Sequence, residues 1–330
     1  MCGGVDRLPP GVAGTCDGLD SIDVRVVFAG TPETAVPTLR ALLASRHEVV
    51  AVVTRPDARV GRGRRLEPSA VAVAAEEVGL PVLKPISASE PEFLDQLRSL
   101  NPDIGAIVAY GALLRRDLLD LPEFGWINLH FSVLPAWRGA APVQRSIMAG
   151  DEVTGATVFS LVEELDAGPV LGTITERIRP EDTSGTLLDR LADLGSRLLV
   201  DAVDHIEDGD IGAISQPEDG VSYAAKIGTD DARIVWDRPA FAVDRQIRGC
   251  TPAPGAWTTH DEARLKVGPV EIVESSDLAP GEARITKREV LVGTATEDVR
   301  LGRVQPHAKK EMDAADWARG LGGVTTVTLR

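Results

Sequence analysis

The chain has 330 residues, 43% hydrophobic and 26% charged, the composition of an ordinary globular protein long enough for two domains. No apolar run could span a membrane, the first twenty residues lack the features of a signal peptide, and Cys2, Cys16 and Cys250 have neither metal-ligand spacing nor an even number for pairing, so a reducing, cytoplasmic location is expected. The formal charge of −15 excludes a uniformly basic nucleic-acid binder but is unevenly spread: residues 1–226 hold 20 Lys and Arg against 34 Asp and Glu, residues 227–330 hold 15 against 16.

Residues 1–22, rich in Gly, Pro and Asp and without period, are expected to be a disordered extension outside the fold. Val24 to Gly30 reads as a buried strand, and Thr31-Pro32-Glu33 leads into a helix with Val36, Leu39, Leu42 and Leu43 on its apolar side. The loop lacks the three-glycine dinucleotide fingerprint, and no acidic residue closes the next strand, Val49 to Val53, which argues against a nicotinamide enzyme. Thr54 to Leu66 then packs Arg55, Arg59, Arg62, Arg64 and Arg65 into a Gly-containing loop. Guanidinium groups there could fork onto phosphate and stack on unpaired bases; equally, a charge run can be a solvated loop and nothing more. Helices over 69–78 and 91–99 and strands over 81–83 and 104–110 continue an alternation that predicts a parallel, doubly wound α/β sheet.

Trp126 to Pro142 begins as an alternating strand and dissolves into Pro, Gly and Ala. Alternation puts Asn128 and His130 on one face, at the edge where open α/β sheets place ligands, so an amide and an imidazole could hold a reacting carbonyl together. The plainer reading is a turn amide and a satisfied imidazole. A helix over 143–148 and a strand over 155–162 precede the turn Glu163 to Pro169, in which Asp166 reads as a turn-forming residue. A strand over 170–174 and an amphipathic helix over 186–206, with Gly209 as its end signal, close the first domain. Residues 210–230 read as a polar connection. Asp237, as N-cap, and Pro239 predict a helix ending near Gly249 with Arg245 and Arg248 on one face. Short segments over 265–267, 270–273, 283–286, 290–292 and 299–304 predict a small antiparallel barrel, compatible with an OB-like fold. Lys287, Arg288, Arg300, Arg303, Lys309 and Lys310 are its candidate contacts. The expected organisation is an extension over 1–22, a catalytic domain over 23–209, a linker over 210–230 and an OB-like domain over 231–330.

The run Asn-Leu-His-Phe-Ser-Val-Leu-Pro-Ala-Trp-Arg-Gly-Ala-Ala-Pro over 128–142 resembles the signature of the 10-formyltetrahydrofolate-dependent formyltransferases, and matching elements follow in order from about Val24 to nearly the end of the chain. The pattern is most similar to that of the methionyl-tRNA formyltransferases. The resemblance implies a Rossmann-like catalytic domain and a catalytic trio of Asn128, His130 and Asp166, the last because Leu165-Asp166-Ala167-Gly168 matches the family's Leu-Asp-x-Gly turn. It implies that the backbone of Ile107, Val108 and Tyr110 lines a pterin pocket, and that Ser132, Val133, Leu134 and Pro135 lie beside the formyl donor. Arg62 matches the key arginine of a loop that approaches the acceptor end of the tRNA, and Arg59, Arg64, Arg65, Arg245, Arg248, Lys287 and Arg288 are further expected contacts. Ala136 departs from the pattern, since many relatives carry a basic residue there. Trp137, Arg138 and Gly139 match it and would shape the acceptor side, although a buried Trp with a salt-bridged Arg would look the same.

The implied reaction moves a formyl group from 10-formyltetrahydrofolate, a co-substrate, to the amino group of methionine on initiator methionyl-tRNA. Neither a metal nor a covalent enzyme intermediate is expected, and a monomer is expected. The alternatives are a formyltransferase acting on a sugar-nucleotide amine and a formyltetrahydrofolate hydrolase, which resemble the same segment; from another class, an RNA-binding module without turnover.

Overall fold

The computed structural model describes residues 24–60, 65–209, 212–275 and 277–330. From β1 (Arg25–Gly30) the chain passes through α1 (Val36–Leu43), β2 (Glu48–Val53), the paired strands β3 (Ala58–Val60) and β4 (Arg65–Glu67), α2 (Ala70–Glu77) and β5 (Val82–Leu83). It continues through α3 (Pro91–Ser99), β6 (Ile104–Val108), α4 (Arg116–Leu119), β7 (Trp126–His130), β8 (Arg138–Gly139), α5 (Pro142–Ala149), β9 (Val153–Ser160), β10 (Val170–Arg177) and α6 (Ser184–Glu207). Seven strands form one sheet in the order β10-β9-β7-β6-β1-β2-β5. Pairing is parallel from β5 to β7 and antiparallel at β9 and β10. The chain leaves β1 for β2 and β5 and returns to β6 on the other side. The sheet's switch point therefore lies between β1 and β6, where carboxyl ends open a crevice.

Both faces of the parallel part are covered, which is why its strands read as continuous apolar runs. Val26 and Phe28 of β1 enter the core with α1, α2, α5 and α6, while Val27 and Ala29 enter the cluster containing Phe93, Leu97 and Leu118 of α3 and α4. Ile127 and Leu129 of β7 join the first cluster and Trp126 the second. By alternation Asn128 and His130 emerge on the Trp126 side. The long helix α6 starts with a capping box between Thr183 and Thr186 and buries Leu187, Leu191, Leu199 and Val203 against the sheet. Its Gly195 lies where a Cβ would come within 2.8 Å of a Leu129 methyl, so helix and strand β7 approach closely there. Each large apolar side chain buried beneath β7 contributes roughly 1.5–3 kcal/mol, giving the strand that carries the site a stiff floor.

The second unit contains β11 (Tyr223–Ala224), α7 (Ala240–Gly249), β12 (Trp257–His260), β13 (Ala263–Val267), β14 (Val270–Ile272), β15 (Glu282–Ile285), β16 (Val290–Val292), β17 (Val299–Leu301), β18 (Arg303–Pro306), β19 (Met312–Asp313), α8 (Ala314–Arg319) and β20 (Thr326–Thr328). Its antiparallel strands sort into two sheets, β12-β13-β18-β19 and β14-β17-β16-β15-β20. They enclose a separate core with Trp236, Leu265, Val292, Val304 and Trp317.

Three expectations need correction. The stretch after β2 pairs as a hairpin rather than a plain loop; residues 61–64, between its two strands in the sequence, lie outside the described residues. The segment expected as one strand over 299–304 is two, broken at Gly302, because β17 pairs with β14 and β16 while β18 pairs with β13 and β19. Helix α7 has Pro239 as its N-cap, in extended conformation and without a side-chain cap, so Asp237 does not start it. The expected extension over 1–22 lies outside the described residues. Among the described residues no helix is long and apolar enough to cross a membrane.

Candidate active site

Asn128 and His130 reach the carboxyl end of β7 with fixed neighbours. Asn128 is in register with Ile107 of β6 and Phe159 of β9, and His130 with Thr157 of β9. The Asn128 side chain is half-buried, and its amide makes no hydrogen bond to another described residue. His130 is 6% exposed, with its ring edge-on to Phe159 at 6.5 Å. Its Nε2 lies 2.9 Å from the Trp137 carbonyl oxygen, which can only accept. Nε2 therefore carries the proton of the neutral ring. That leaves the lone pair of Nδ1 facing Asp166 Oδ2 at 3.7 Å. Burial pushes the His130 pKa below its ordinary value; the Asp166 carboxylate and the Trp137 carbonyl pull it back up.

Asp166 sits in the turn between β9 and β10 with φ of 48°, a left-handed conformation that Asp tolerates better than most residues. Its Oδ2 accepts a hydrogen bond from the Gly139 amide at 2.7 Å. Two residues on, a Cβ at Gly168 would come within 1.7 Å of the Ser160 carbonyl oxygen, so the turn presses against the end of β9 and only glycine fits. The structure thus brings together an amide, an imidazole and a carboxylate from two separate parts of the chain.

The residues expected around a folate have mainly buried side chains. Ile107, Val108, Tyr110, Ser132 and Leu134 are buried, while Val133 and Pro135 are half-buried. Left-handed backbone at Ala109 (φ 48°) and Gly111 (φ 82°) turns the chain beyond β6, beside Asn128. The Tyr110 hydroxyl is buried without a partner among the described residues, and burial raises its pKa. Ser132 Oγ donates to the Ala136 carbonyl at 2.6 Å; Thr157 Oγ1 donates to the Ser132 carbonyl at 2.7 Å and accepts from the Leu134 amide at 3.2 Å. Ser132 therefore ties the loop together rather than presenting a free hydroxyl. Trp137 is half-buried and its Nε1 donates to Asp151 Oδ2 at 2.8 Å, and Arg138, 7% exposed, pairs with Glu164 and donates to Gln216 Oε1.

The basic residues divide into two groups. Arg59 and Arg65 stand exposed on the two strands of the β3–β4 hairpin, and Lys287 and Arg288 are exposed at the turn between β15 and β16. Arg62 and Arg64 lie outside the described residues. Arg245 lies over the Phe241 ring at 5.1 Å. Arg248 is held within the protein: its guanidinium donates to Asp244 at 2.8 Å and to the Asp182 carbonyl at 2.9 Å, with the side chain 11% exposed, so it ties the two units together. Arg300, paired with Glu271 and Glu289, and Arg303, paired with Glu311 and Asp313, are likewise neutralised by neighbouring carboxylates.

Sequence reasoning missed Thr157, Asp151, Gln216 and Ser222, which support the site through hydrogen bonds across long sequence separations and belong to no spacing pattern. Among the described residues, one group, His47, Asp204 and Glu207, brings metal-ligating atoms within 4.8 Å of one another; Arg46 already pairs with both carboxylates. Cys250 is buried with its thiol pKa pushed up to about 11, which makes it a poor nucleophile.

Residues 24–203 match the profile of the formyl transferase family and residues 226–322 that of the formyl transferase C-terminal domain. The chain belongs to the formyl transferase family and carries both of its domains. Among curated relatives, the methionyl-tRNA formyltransferase of Nocardioides sp. is 61% identical over 300 residues, covering 90% of this chain and 95% of its own. That of Streptomyces coelicolor is 59% identical over 299 residues, covering 90% and 96%. Two solved structures share the fold at lower identity. HypX from Aquifex aeolicus in complex with tetrahydrofolic acid has a TM-score of 0.67 at 17% identity, over 93% of this chain and 51% of that one. An N-formyltransferase from Helicobacter canadensis in complex with folinic acid and dTDP-3-aminofucose has a TM-score of 0.66 at 16% identity, over 86% and 100%.

Proposed function

We propose that the protein transfers the formyl group of 10-formyltetrahydrofolate to the amino group of methionine on initiator methionyl-tRNA, in the cytoplasm and as a monomer. The observation that carries the mechanism is the convergence of Asn128, His130 and Asp166 at the carboxyl edge of the sheet. The neutral amine attacks the formyl carbon and the carbonyl oxygen becomes an oxyanion. The unpartnered Asn128 amide donates to that oxygen, a type of contact that typically supplies a few kcal/mol to the transition state. His130, kept neutral by burial, takes the amine's proton at Nδ1, where the Asp166 carboxylate stabilises the imidazolium. The same proton passes to folate N10 as its bond to the formyl carbon breaks, leaving formyl-methionyl-tRNA and tetrahydrofolate. The ring is then neutral again, and no metal takes part.

The folate lies along the 107–111 backbone and the 132–135 loop. The β3–β4 hairpin, with Arg59, Arg62, Arg64 and Arg65, meets the acceptor end of the tRNA, and the 231–330 domain, OB-like in this reading, docks the rest through Arg245, Lys287 and Arg288. This basic hairpin and second domain favour a tRNA acceptor over a sugar-nucleotide amine. Steady-state formylation by Asn128→Ala and Asp166→Asn enzymes tests the assignment. Losses of about 100- to 1,000-fold in kcat with little change in KM are expected, and a near-wild-type rate in either would contradict it.

A further inference from the structure

We propose that Gln216, in the connection between the two units, is a positioning residue for formyl transfer: it fixes the peptide turn that carries Asp166 and, through Asp166, the proton chemistry of His130. The proposal rests on the reading that Asp166 acts on His130. Gln216 is half-buried in a run where 212–215 and 217–220 are all exposed, so the connection inserts this one side chain into the first unit. Its Nε2 donates to the carbonyl oxygens of Asp166 and Gly168, each at 2.8 Å. Its Oε1 accepts from Arg138 Nε at 3.1 Å and Nη2 at 2.8 Å. Two donors and two lone pairs are thereby all engaged, and the amide has one workable orientation: reversed, it would set an oxygen against two carbonyls and an NH2 against a guanidinium.

The rest of the connection is stitched to the same two segments. Ile214 exchanges two backbone hydrogen bonds with Val170, each at 2.8 Å. Ser222 accepts from the Trp137 amide at its hydroxyl and from the Arg138 amide at its carbonyl, at 2.9 Å each. Trp137 supplies the carbonyl that holds His130 Nε2, and Gly139 supplies the amide that holds the Asp166 carboxylate. Gln216 therefore bridges the two segments whose spacing sets the distance between His130 and Asp166. It also holds the left-handed Asp166 backbone from the carbonyl side, where the carboxylate's own contact cannot act. Without it, the carboxylate's upward pull on the His130 pKa weakens and burial dominates.

The test compares full-length wild-type, Gln216→Ala, Gln216→Glu, Asp166→Asn and Gln216→Ala/Asp166→Asn enzymes in kcat, both KM values, the pH dependence of kcat and melting temperature. Gln216→Ala is expected to lose roughly 10- to 100-fold in kcat, with KM values within about twofold and the acid limb of the profile moved to lower pH. Gln216→Glu keeps the acceptor for Arg138 but faces two carbonyls with a carboxylate, and falls at least as far; it also covers the case in which the alanine variant fails to fold. In the Asp166→Asn background Gln216→Ala should cost less than about twofold more, because the route it serves is already gone. Wild-type kcat in Gln216→Ala or Gln216→Glu beside an impaired Asp166→Asn overturns this proposal alone, as do fully multiplicative losses in the double variant. Wild-type kcat in Asp166→Asn overturns the reading of the site and this proposal with it.

Discussion

Asp166 Oδ2 lies 3.7 Å from His130 Nδ1 and 2.7 Å from the Gly139 amide, so a single carboxylate oxygen faces both the imidazole and the loop that curls behind it. Burial favours the neutral imidazole and the carboxylate favours its charged form. Replacing Asp166 by Asn removes the charge while keeping a residue type that tolerates the left-handed backbone. The His130 pKa then falls further, so the acid limb of kcat moves to lower pH. The folded-state pKa of His130 is already depressed, so its contribution to stability is present above the unfolded value of about 6.5 and is lost as pH falls through and below it. Melting temperature measured against pH should therefore decline less steeply below pH ~6.5 in His130→Gln than in wild type.

The β3–β4 hairpin follows β2 and carries Arg59 and Arg65 exposed on its strands; Arg62 falls between those strands in the sequence, outside the described residues. Neutralising Arg62 with Ala should raise the KM for tRNA by roughly tenfold and leave that for 10-formyltetrahydrofolate within about twofold, and the dependence of tRNA affinity on salt should become shallower. Affinity measured by filter binding at several salt concentrations checks this. Equal effects on both substrates would contradict it.

Gly168→Ala places a methyl group against the Ser160 carbonyl, and the backbone must move to accept it. A loss of about 1–3 kcal/mol is expected from denaturant titration, together with a fall in kcat, since the displaced turn carries Asp166. Full activity in a destabilised protein would separate the turn's packing from its chemistry.

Much of the sheet could be read from the chain because its strands are buried on both faces and its helices are amphipathic. Helix α3 occupies the expected residues, and α2, α5 and α6 lie within a residue or two of expectation. The β3–β4 hairpin escaped notice because its strands, Ala58-Arg59-Val60 and Arg65-Leu66-Glu67, are three residues long, too short for their alternation to stand out from chance. Helix α8, at six residues, and the strands β12 and β20 are too short to carry a period. Asn128 and His130 were legible as a face of one strand. Asp166 was legible only through resemblance, since an Asp before Ala-Gly-Pro reads locally as a turn. Gln216 left no trace in the sequence, because its role comes from hydrogen bonds to residues 48, 50 and 78 positions away. The partner of Arg248 was hidden in the same way: its helical spacing with Arg245 suggests a shared basic face, while the Asp182 carbonyl that it reaches is set by tertiary packing.

The most direct measurement is a single-turnover reaction with 10-formyltetrahydrofolate and methionine-charged initiator tRNA, following formyl-methionine on the tRNA, with His130→Ala as the control. Rapid formylation by the wild type that disappears in the control is the predicted result. Consumption of the folate with the tRNA left unformylated, or a His130→Ala enzyme that keeps the wild-type rate, would contradict it.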